Sequence, residues 1–375
     1  MANNNDKKVL NVPDLRFPEF SGEWVETELQ DIVPNICSGK DRISNSGEVA
    51  LYGSTGVIGR TNSASYKENI VLVARVGANA GQMQIGNAPC GVTDNTLVID
   101  AKEWNYYIYY FLQHYNLNRL VFGSGQPLIT GGMLKRIKVR YGCKAERNNI
   151  TRLLCLIDER IATQNKIIEK YESLIQAISQ KVLRPSEYWN EYRLCELADI
   201  RSGYSGNQVS HKTAYAVSRI ETISKHRIDM LRVGYVQDIP SEYKLNVGDI
   251  LFSNINSIQY IGNTAFVDKE YNLYHGMNLL RIIPKPSLVI PRFLHLILCT
   301  SMAIKHFQSI CNKAVSQASI NQTSLGKIML HIPPLTCQEQ ICNVFESVEQ
   351  RLNLEVYYLK RIQLQKNYLL RQMFI

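Results

Sequence analysis

The chain repeats itself, and an internal repeat narrows the available folds more than any other feature of a sequence. Trp24-Val25-Glu26-Thr27-Glu28-Leu29-Gln30-Asp31-Ile32 matches Tyr192-Arg193-Leu194-Cys195-Glu196-Leu197-Ala198-Asp199-Ile200, with the aromatic, Leu, Asp and Ile in step at an offset of 168. Ser-Gly follows each copy, at Ser38-Gly39 and Ser202-Gly203. Ile70-Val71-Leu72-Val73-Ala74-Arg75 resembles Asp249-Ile250-Leu251-Phe252-Ser253-Asn254, and Asn95-Thr96-Leu97 resembles Asn278-Leu279-Leu280. Gln126-Pro127-Leu128-Ile129 then corresponds to Gln317-Ala318-Ser319-Ile320 at an offset of 191. That offset continues without a gap for some forty residues, so that Ile150 meets Ile341, Arg160 meets Arg351 and Val182 meets Met373. Any single match is weak, but five blocks in the same order are not.

Each repeat has two parts. The first is rich in short apolar or alternating runs that predict strands at 70–74, 96–99, 137–140, 249–252 and 279–283. Gly53-Ser54-Thr55-Gly56 and Gly77-Ala78-Asn79-Ala80-Gly81 read as turns between strands. Residues 104–115 and 291–310 predict helices, and the tyrosines at 106, 107, 109 and 110 read as helix packing. Mixed α/β lobes with twisted, partly antiparallel sheets are expected.

The second part is a long helix. Apolar residues recur at Leu154, Ile157, Ile161, Ile168, Tyr171, Ile175, Ile178 and Val182, and again at Ile341, Phe345, Val348, Leu352, Leu359, Ile362, Leu369 and Met373. Steps of three and four alternate, with one step of seven in the first helix and two in the second, which is a heptad seam. The gaps at 161–168 and 352–359 are filled by Gln164 and Glu355, which share one repeat-equivalent layer, and a polar residue in a seam fixes register. Two copies with the same seam bury it most simply on each other, antiparallel if a pseudo-twofold relates them; two unrelated surface helices are the alternative. The expected division is a lobe at 1–145, a helix at 146–185, a lobe at 186–336 and a helix at 337–375.

Composition excludes several classes. No apolar run approaches the roughly 18 residues of a membrane span, and the first twenty residues lack an apolar signal core, so export is not expected. Nine cysteines without a CxxC pair read as reduced thiols in a cytoplasm, and no zinc-type spacing predicts a metal site. The net charge of +9 favours an anionic partner, with nucleic acid first. By segment it is +2 for 1–145, +1 for 146–183, +5 for 184–336 and +1 for 337–375. No catalytic motif emerges. Gly39-Lys40 and Gly326-Lys327 lack the Ser or Thr of a P-loop, and Gly53, Gly56 and Gly59 read as turn glycines, not a dinucleotide fingerprint. Glu242-Tyr243-Lys244 has nuclease-like composition but the context of a loop.

With the catalytic classes set aside, the ordered strings carry a resemblance. They are the aromatic-x4-Leu-x2-Ile openings, YGSTGVIG at 52–59, VGDILFS at 247–253, GSGQPLITGGMLKRIKV at 123–139, VSQASINQTSLGKIMLHIPPL at 315–335 and IPPLTCQEQI at 332–341. In that order the chain resembles a Type I restriction-modification specificity (S) subunit from about residue 20 to 375. The resemblance implies an α/β (α+β) fold class: two pseudo-symmetric target recognition domains separated by two long antiparallel coiled-coil helices. It implies that each lobe reads one half of a bipartite site in double-stranded DNA and that the helices set the unread spacer. It further implies that two methyltransferase (M) subunits dock on the chain and that restriction (R) subunits join where they exist. The chain is then non-catalytic and holds no cofactor, and S-adenosylmethionine, ATP and Mg belong to the partner subunits.

Arg suits guanine, and Asn and Gln suit adenine. The candidates are Arg60, Arg75, Asn79 and Gln126 in the first lobe, and Arg219, Asn254, Asn256, Gln317 and Asn321 in the second. Capping is the competing role for Gln126 and Gln317. Two other functions compete: recognition subunit for a Type IIB/IIG-like fused nuclease-methyltransferase, and a coiled-coil adaptor with no DNA role.

Overall fold

The computed structural model describes residues 11–123, 127–313 and 317–375. The chain divides into two compact units, Met1–Ile167 with Glu355–Ile375, and Ile168–Leu354. Both divisions fall inside a long helix. Among the described residues no helix is long and apolar enough to cross a membrane.

The first unit is built on an antiparallel four-stranded sheet in the order Ile36–Ser38, Thr96–Ile99, Ile70–Ala74, Met83–Gly86. The Ile70–Ala74 strand is buried along its whole length because it is covered on both faces. Val71 and Val73 join Leu97 and Ile99 beneath the helix Asn105–Tyr115. Ile70 and Leu72 face the other way, with Val98, onto a second sheet formed by Gly56–Thr61, Val49–Gly53 and Cys90–Val92. A strand with two apolar neighbours reads as a continuous apolar run instead of an alternating one. Tyr107 and Tyr110 are almost fully buried; the Tyr107 hydroxyl donates to the Arg140 carbonyl and the Tyr110 hydroxyl to Asp158, at 2.7 and 2.8 Å.

The second unit repeats this plan. Its antiparallel sheet runs Ala198–Ser202, Leu280–Pro284, Ile250–Phe252, Thr264–Phe266, and its second sheet again pairs one strand parallel and one antiparallel to a shared middle strand, Tyr215–Val217. Matching backbone bonds give the equivalences directly. Ile129 N–H donates to the Arg75 carbonyl and Ile320 N–H to the Asn254 carbonyl, both at 2.9 Å. The predicted strands all form, with 137–140 and 279–283 moved one residue on, to Lys138–Tyr141 and Leu280–Pro284, and 249–252 shortened by one residue to Ile250–Phe252. The predicted helix at 291–310 is two helices, Pro291–Leu298 and Ser301–Ile310, because Thr300 leaves helical geometry and caps the second through Ala303 N–H.

One repeat alignment changes. Val25 pairs with Tyr141 and Asn190 with Ile332, so the lobe openings correspond at an offset of 165, not 168. Trp24 therefore matches Trp189, and Leu29 matches Leu194. Both leucines are fully buried, and their N–H groups donate to the Ile137 and Ile328 carbonyls at 2.8 and 2.9 Å. The slip arises because Leu194 and Leu197 are one helical turn apart and both face the core.

The long helices are Lys144–Val182 and Leu335–Gln372. In the first unit Ile150, Leu154 and Ile157 share a core with Ile362, Leu370 and Met373. In the second, Ile175, Ile178 and Val182 share one with Ile341 and Phe345. The start of each helix thus meets the end of the other, so they run antiparallel. Gln164 Nε2 donates to the Glu355 carboxylate at 2.5 Å and to its carbonyl at 3.1 Å, with both side chains buried. Equivalent acids anchor each lobe to its long helix: Asp158 takes Tyr110 and Lys366, and Glu349 takes Arg292 through both oxygens at 2.6 Å.

At one pair of core positions apolar contact is replaced by charge. Asp249 and Arg281 form a buried ion pair at 2.6 Å where the first unit has Ile70 and Val98. Burial raises the Asp249 carboxyl pKa in spite of the Asn246 N–H and the Arg281 guanidinium. Breaking such a pair costs about 3–5 kcal/mol, whereas replacing both partners by apolar groups is about neutral. Asp249→Ile alone is expected to destabilise the chain by that amount, and Asp249→Ile with Arg281→Val to recover most of it. Urea unfolding of the two variants checks this, and additive losses contradict it.

Candidate nucleic-acid interface

In the first lobe three loops meet because strands distant in sequence are paired. The Asn95 carbonyl accepts the Arg75 N–H and the Ser54 hydroxyl, both at 3.0 Å. Ser54 stands at the tip of a two-residue hairpin, where Gly56 has a φ of 138°. The Gly53 carbonyl accepts the Gln84 amide at 2.7 Å. Arg75 is half-buried and donates to the Ser38 hydroxyl at 3.2 Å. Asn79 lies on the same loop and accepts from Gln82 at 3.0 Å, while Gly77 N–H bonds the Pro127 carbonyl. Arg60 is not part of this group. It is exposed four residues beyond the hairpin glycine Gly56, donating to the Glu48 carbonyl at 2.9 Å. Gln126 lies outside the described residues.

The second lobe places its candidates in the equivalent loops. Asn254, the counterpart of Arg75, donates from Nδ2 to the Ile320 carbonyl at 3.3 Å while accepting the Ile320 N–H on its own carbonyl. Both ends of the Asn256 amide are engaged, Nδ2 by the Ser253 hydroxyl and Oδ1 by Ser257 N–H. Asn321 caps the helix Gln322–Gly326 by accepting Ser324 N–H at 2.8 Å, as Thr130 caps Gly131–Lys135. Arg219 is exposed, with Glu221 at 3.4 Å, and Gln317 is exposed just before the strand Ala318–Ser319. Reading adenine takes both ends of an amide. Asn254, Asn256 and Asn321 would have to release backbone or hydroxyl partners to do so, whereas Gln317 and Arg219 are exposed, Arg219 with a surface ion pair to give up.

Beneath these loops His275 is buried. Burial pushes its pKa down to about 4, and Nε2–H donates to the Leu279 carbonyl at 2.9 Å, bracing the turn in which Asn278 has a φ of 62°. The Glu-Tyr-Lys triplet forms no acidic centre: Lys244 pairs with Glu270 at 3.6 Å, and the Glu242 carbonyl accepts Arg281. Sequence reasoning missed Ser54, Gln84 and Asn95. Only the Gly-Ser-Thr-Gly turn signalled any of them, since the other two are brought in by strand pairing.

Two stretches, residues 21–173 and 186–363, match the family model of the Type I restriction modification DNA specificity domain. The chain belongs to this family. The two matches begin 165 residues apart, which is the offset that strand pairing gives. A type I restriction enzyme MjaX specificity subunit of Methanocaldococcus jannaschii is 38% identical over 184 residues, a stretch spanning 47% of this chain and 43% of that protein. A type I restriction enzyme specificity subunit of Haemophilus influenzae is 21% identical over 363 residues, covering 89% of this chain and 90% of its own length. The fold is also that of the S subunit of a Type-I restriction-modification system from M. genitalium, with a TM-score of 0.64 at 15% identity over 97% of this chain and 99% of that one. A chain from a structure on complex assembly and conformational transition of the type I R-M system gives a TM-score of 0.57 at 14% identity, covering 96% and 99%.

Among these specificity-family loops the cap at Asn321 is separable from any reading role. Asn321→Ala is expected to lower stability by about 1 kcal/mol, and Asn321→Asp to retain it. Thermal denaturation measures both, and a neutral alanine variant would contradict the capping role.

Proposed function

We propose that this chain is the DNA-reading subunit of a Type I restriction-modification complex, with each lobe reading one half of a bipartite site in double-stranded DNA. The observation that carries the reading is the duplication: one loop-bearing fold occurs twice, and each copy matches a DNA specificity domain. Two reading modules on one chain suit a duplex presenting two short motifs about one helical turn apart, near 34 Å between centres. In this reading Arg75, Arg219 and Gln317 approach base edges, and other lysines and arginines meet phosphates. The +5 charge of residues 184–336 supplies part of that attraction. Two methyltransferase subunits dock on this chain, and restriction subunits join where they exist. S-adenosylmethionine, ATP and Mg belong to those partners, the chemistry is theirs and not this chain's, and the complex works in a prokaryotic cytoplasm. A fused nuclease-methyltransferase partner would leave every statement about this chain unchanged.

Binding of the chain with its methyltransferase partner to random DNA, followed by sequencing of the bound fraction, is expected to enrich two short motifs at one fixed spacing. An adaptor with no DNA role enriches nothing. Exchanging residues 15–145 for the lobe of another family member is expected to change one half-site and leave the other. A change in both contradicts the modular reading. Removing seven residues from each long helix is expected to alter the spacer or abolish binding, and an unchanged spacer shows that the helices do not set it.

A further inference from the structure

Three side chains of metal-binding type meet in the second lobe from separate places in the sequence. His295 and Cys299 are four residues apart, on the helix Pro291–Leu298 and its C-terminal cap, and so share one face. His226 belongs to the turn between the strands Ile223–Ser224 and Arg227–Ile228. Cys299 Sγ lies 3.4 Å from His226 Nδ1 and 3.4 Å from His295 Nε2, and the three ligand atoms all fall within 4.8 Å of one another. A tetrahedral zinc ion with Zn–N of about 2.0–2.1 Å and Zn–S of about 2.3 Å sets N and S about 3.5 Å apart. The two sulfur–nitrogen separations are those of a coordination edge.

The Cys299 sulfur is the common neighbour of two imidazole nitrogens and of the Thr264 hydroxyl, the last at 3.2 Å. The His226 ring also bonds the Thr264 backbone, and its Nδ1 faces the sulfur. A backbone carbonyl on the far nitrogen is the usual support of a metal-binding histidine. The turn is itself costly. Lys225 and His226 have φ of 47° and 61°, the left-handed pair that two-residue hairpins normally give to Asn-Gly. That conformation holds His226 over Cys299. Arg292 touches His295 Nδ1 at 3.0 Å but is neutralised by both oxygens of Glu349. When Nε2 takes a metal and Nδ1 carries the proton, Arg292 gives up the histidine and keeps Glu349.

We propose that His226, His295 and Cys299 form a binding site for a thiophilic divalent cation, zinc foremost, with the Thr264 hydroxyl or a water as fourth ligand. The ion would tie the hairpin turn to the helix beneath it. Arg227, the next residue, reaches Asn353 on the second long helix at 3.1 Å, so the tie extends to that helix within the same unit. On binding, the thiol gives its proton to solvent and the thiolate forms the metal–sulfur bond, with no change of oxidation state.

The test uses the full chain, stripped of metal with a chelator and titrated with cobalt(II), then with zinc in competition. One cobalt per chain is expected, with tetrahedral visible bands and a near-ultraviolet thiolate-to-cobalt band that zinc abolishes. Cys299→Ser is expected to lose the near-ultraviolet band. His226→Asn, at an exposed position and checked for folding by circular dichroism, is expected to weaken zinc binding at least about tenfold. A folded wild-type chain with no thiolate band overturns the proposal. So does a band that survives in Cys299→Ser, or zinc affinity unchanged in His226→Asn.

Discussion

The contact between Gln164 and Glu355 is the constraint around which the helix pair is organised. The two residues occupy the same position in their repeats, 191 apart, and they touch. A residue meets its own repeat equivalent only where a twofold axis relates the two helices. Every other layer of the seam then pairs unlike positions, such as Asp158 with Lys366. A polar layer in an apolar seam tolerates one register, because a shift by a turn would leave a buried amide and a buried carboxylate without each other. The antiparallel order follows, and it places the start of each long helix in one unit and its end in the other.

Duplication preserves positions more than it preserves chemistry. Residue 147 and its equivalent 338 both close the base of a lobe. Arg147 does so by stacking on Trp104, 3.3 Å from the ring centre, and Gln338 by bonding Ile290 N–H and the Leu288 and Pro333 carbonyls. Ile70 and Val98 fill by apolar contact the place that Asp249 and Arg281 fill as an ion pair. Asp158 and Glu349 each fix a lobe helix through unlike partners. Several backbone bonds, by contrast, recur in both copies, as at Ile129 to Arg75 and Ile320 to Asn254, and at Leu29 to Ile137 and Leu194 to Ile328. Backbone geometry is what duplication carries forward, and side chains diverge around it. This is why sequence identity between the lobes is low while strand order is shared.

The candidate site was partly legible in the sequence. Arg75 and Asn254 were found because they end equivalent apolar runs, and Gln317 because it precedes an equivalent strand. Sequence alone gave the same weight to Arg60, Asn256 and Asn321. An asparagine that caps a helix and one that is free to meet a base have the same letter, and only the position of Ser324 N–H separates them. The cluster at His226, His295 and Cys299 escaped the linear search for another reason: His226 is 69 residues from His295 and 73 from Cys299, and only His-x3-Cys is local.

The sequence by itself determined the repeat, the strand runs, the two long helices and the polar layer at Gln164 and Glu355. Each of these is written in periodicity, and periodicity is set by local backbone geometry that neighbouring residues share. Tertiary structure decided the rest. It set the 165-residue register of the lobe openings, the break at Thr300, the meeting of Ser54, Arg75 and Asn95, and which amides are spent on their own backbone. Those depend on hydrogen bonds between residues far apart in the chain. A one-dimensional pattern holds no record of which distant N–H a carbonyl will find.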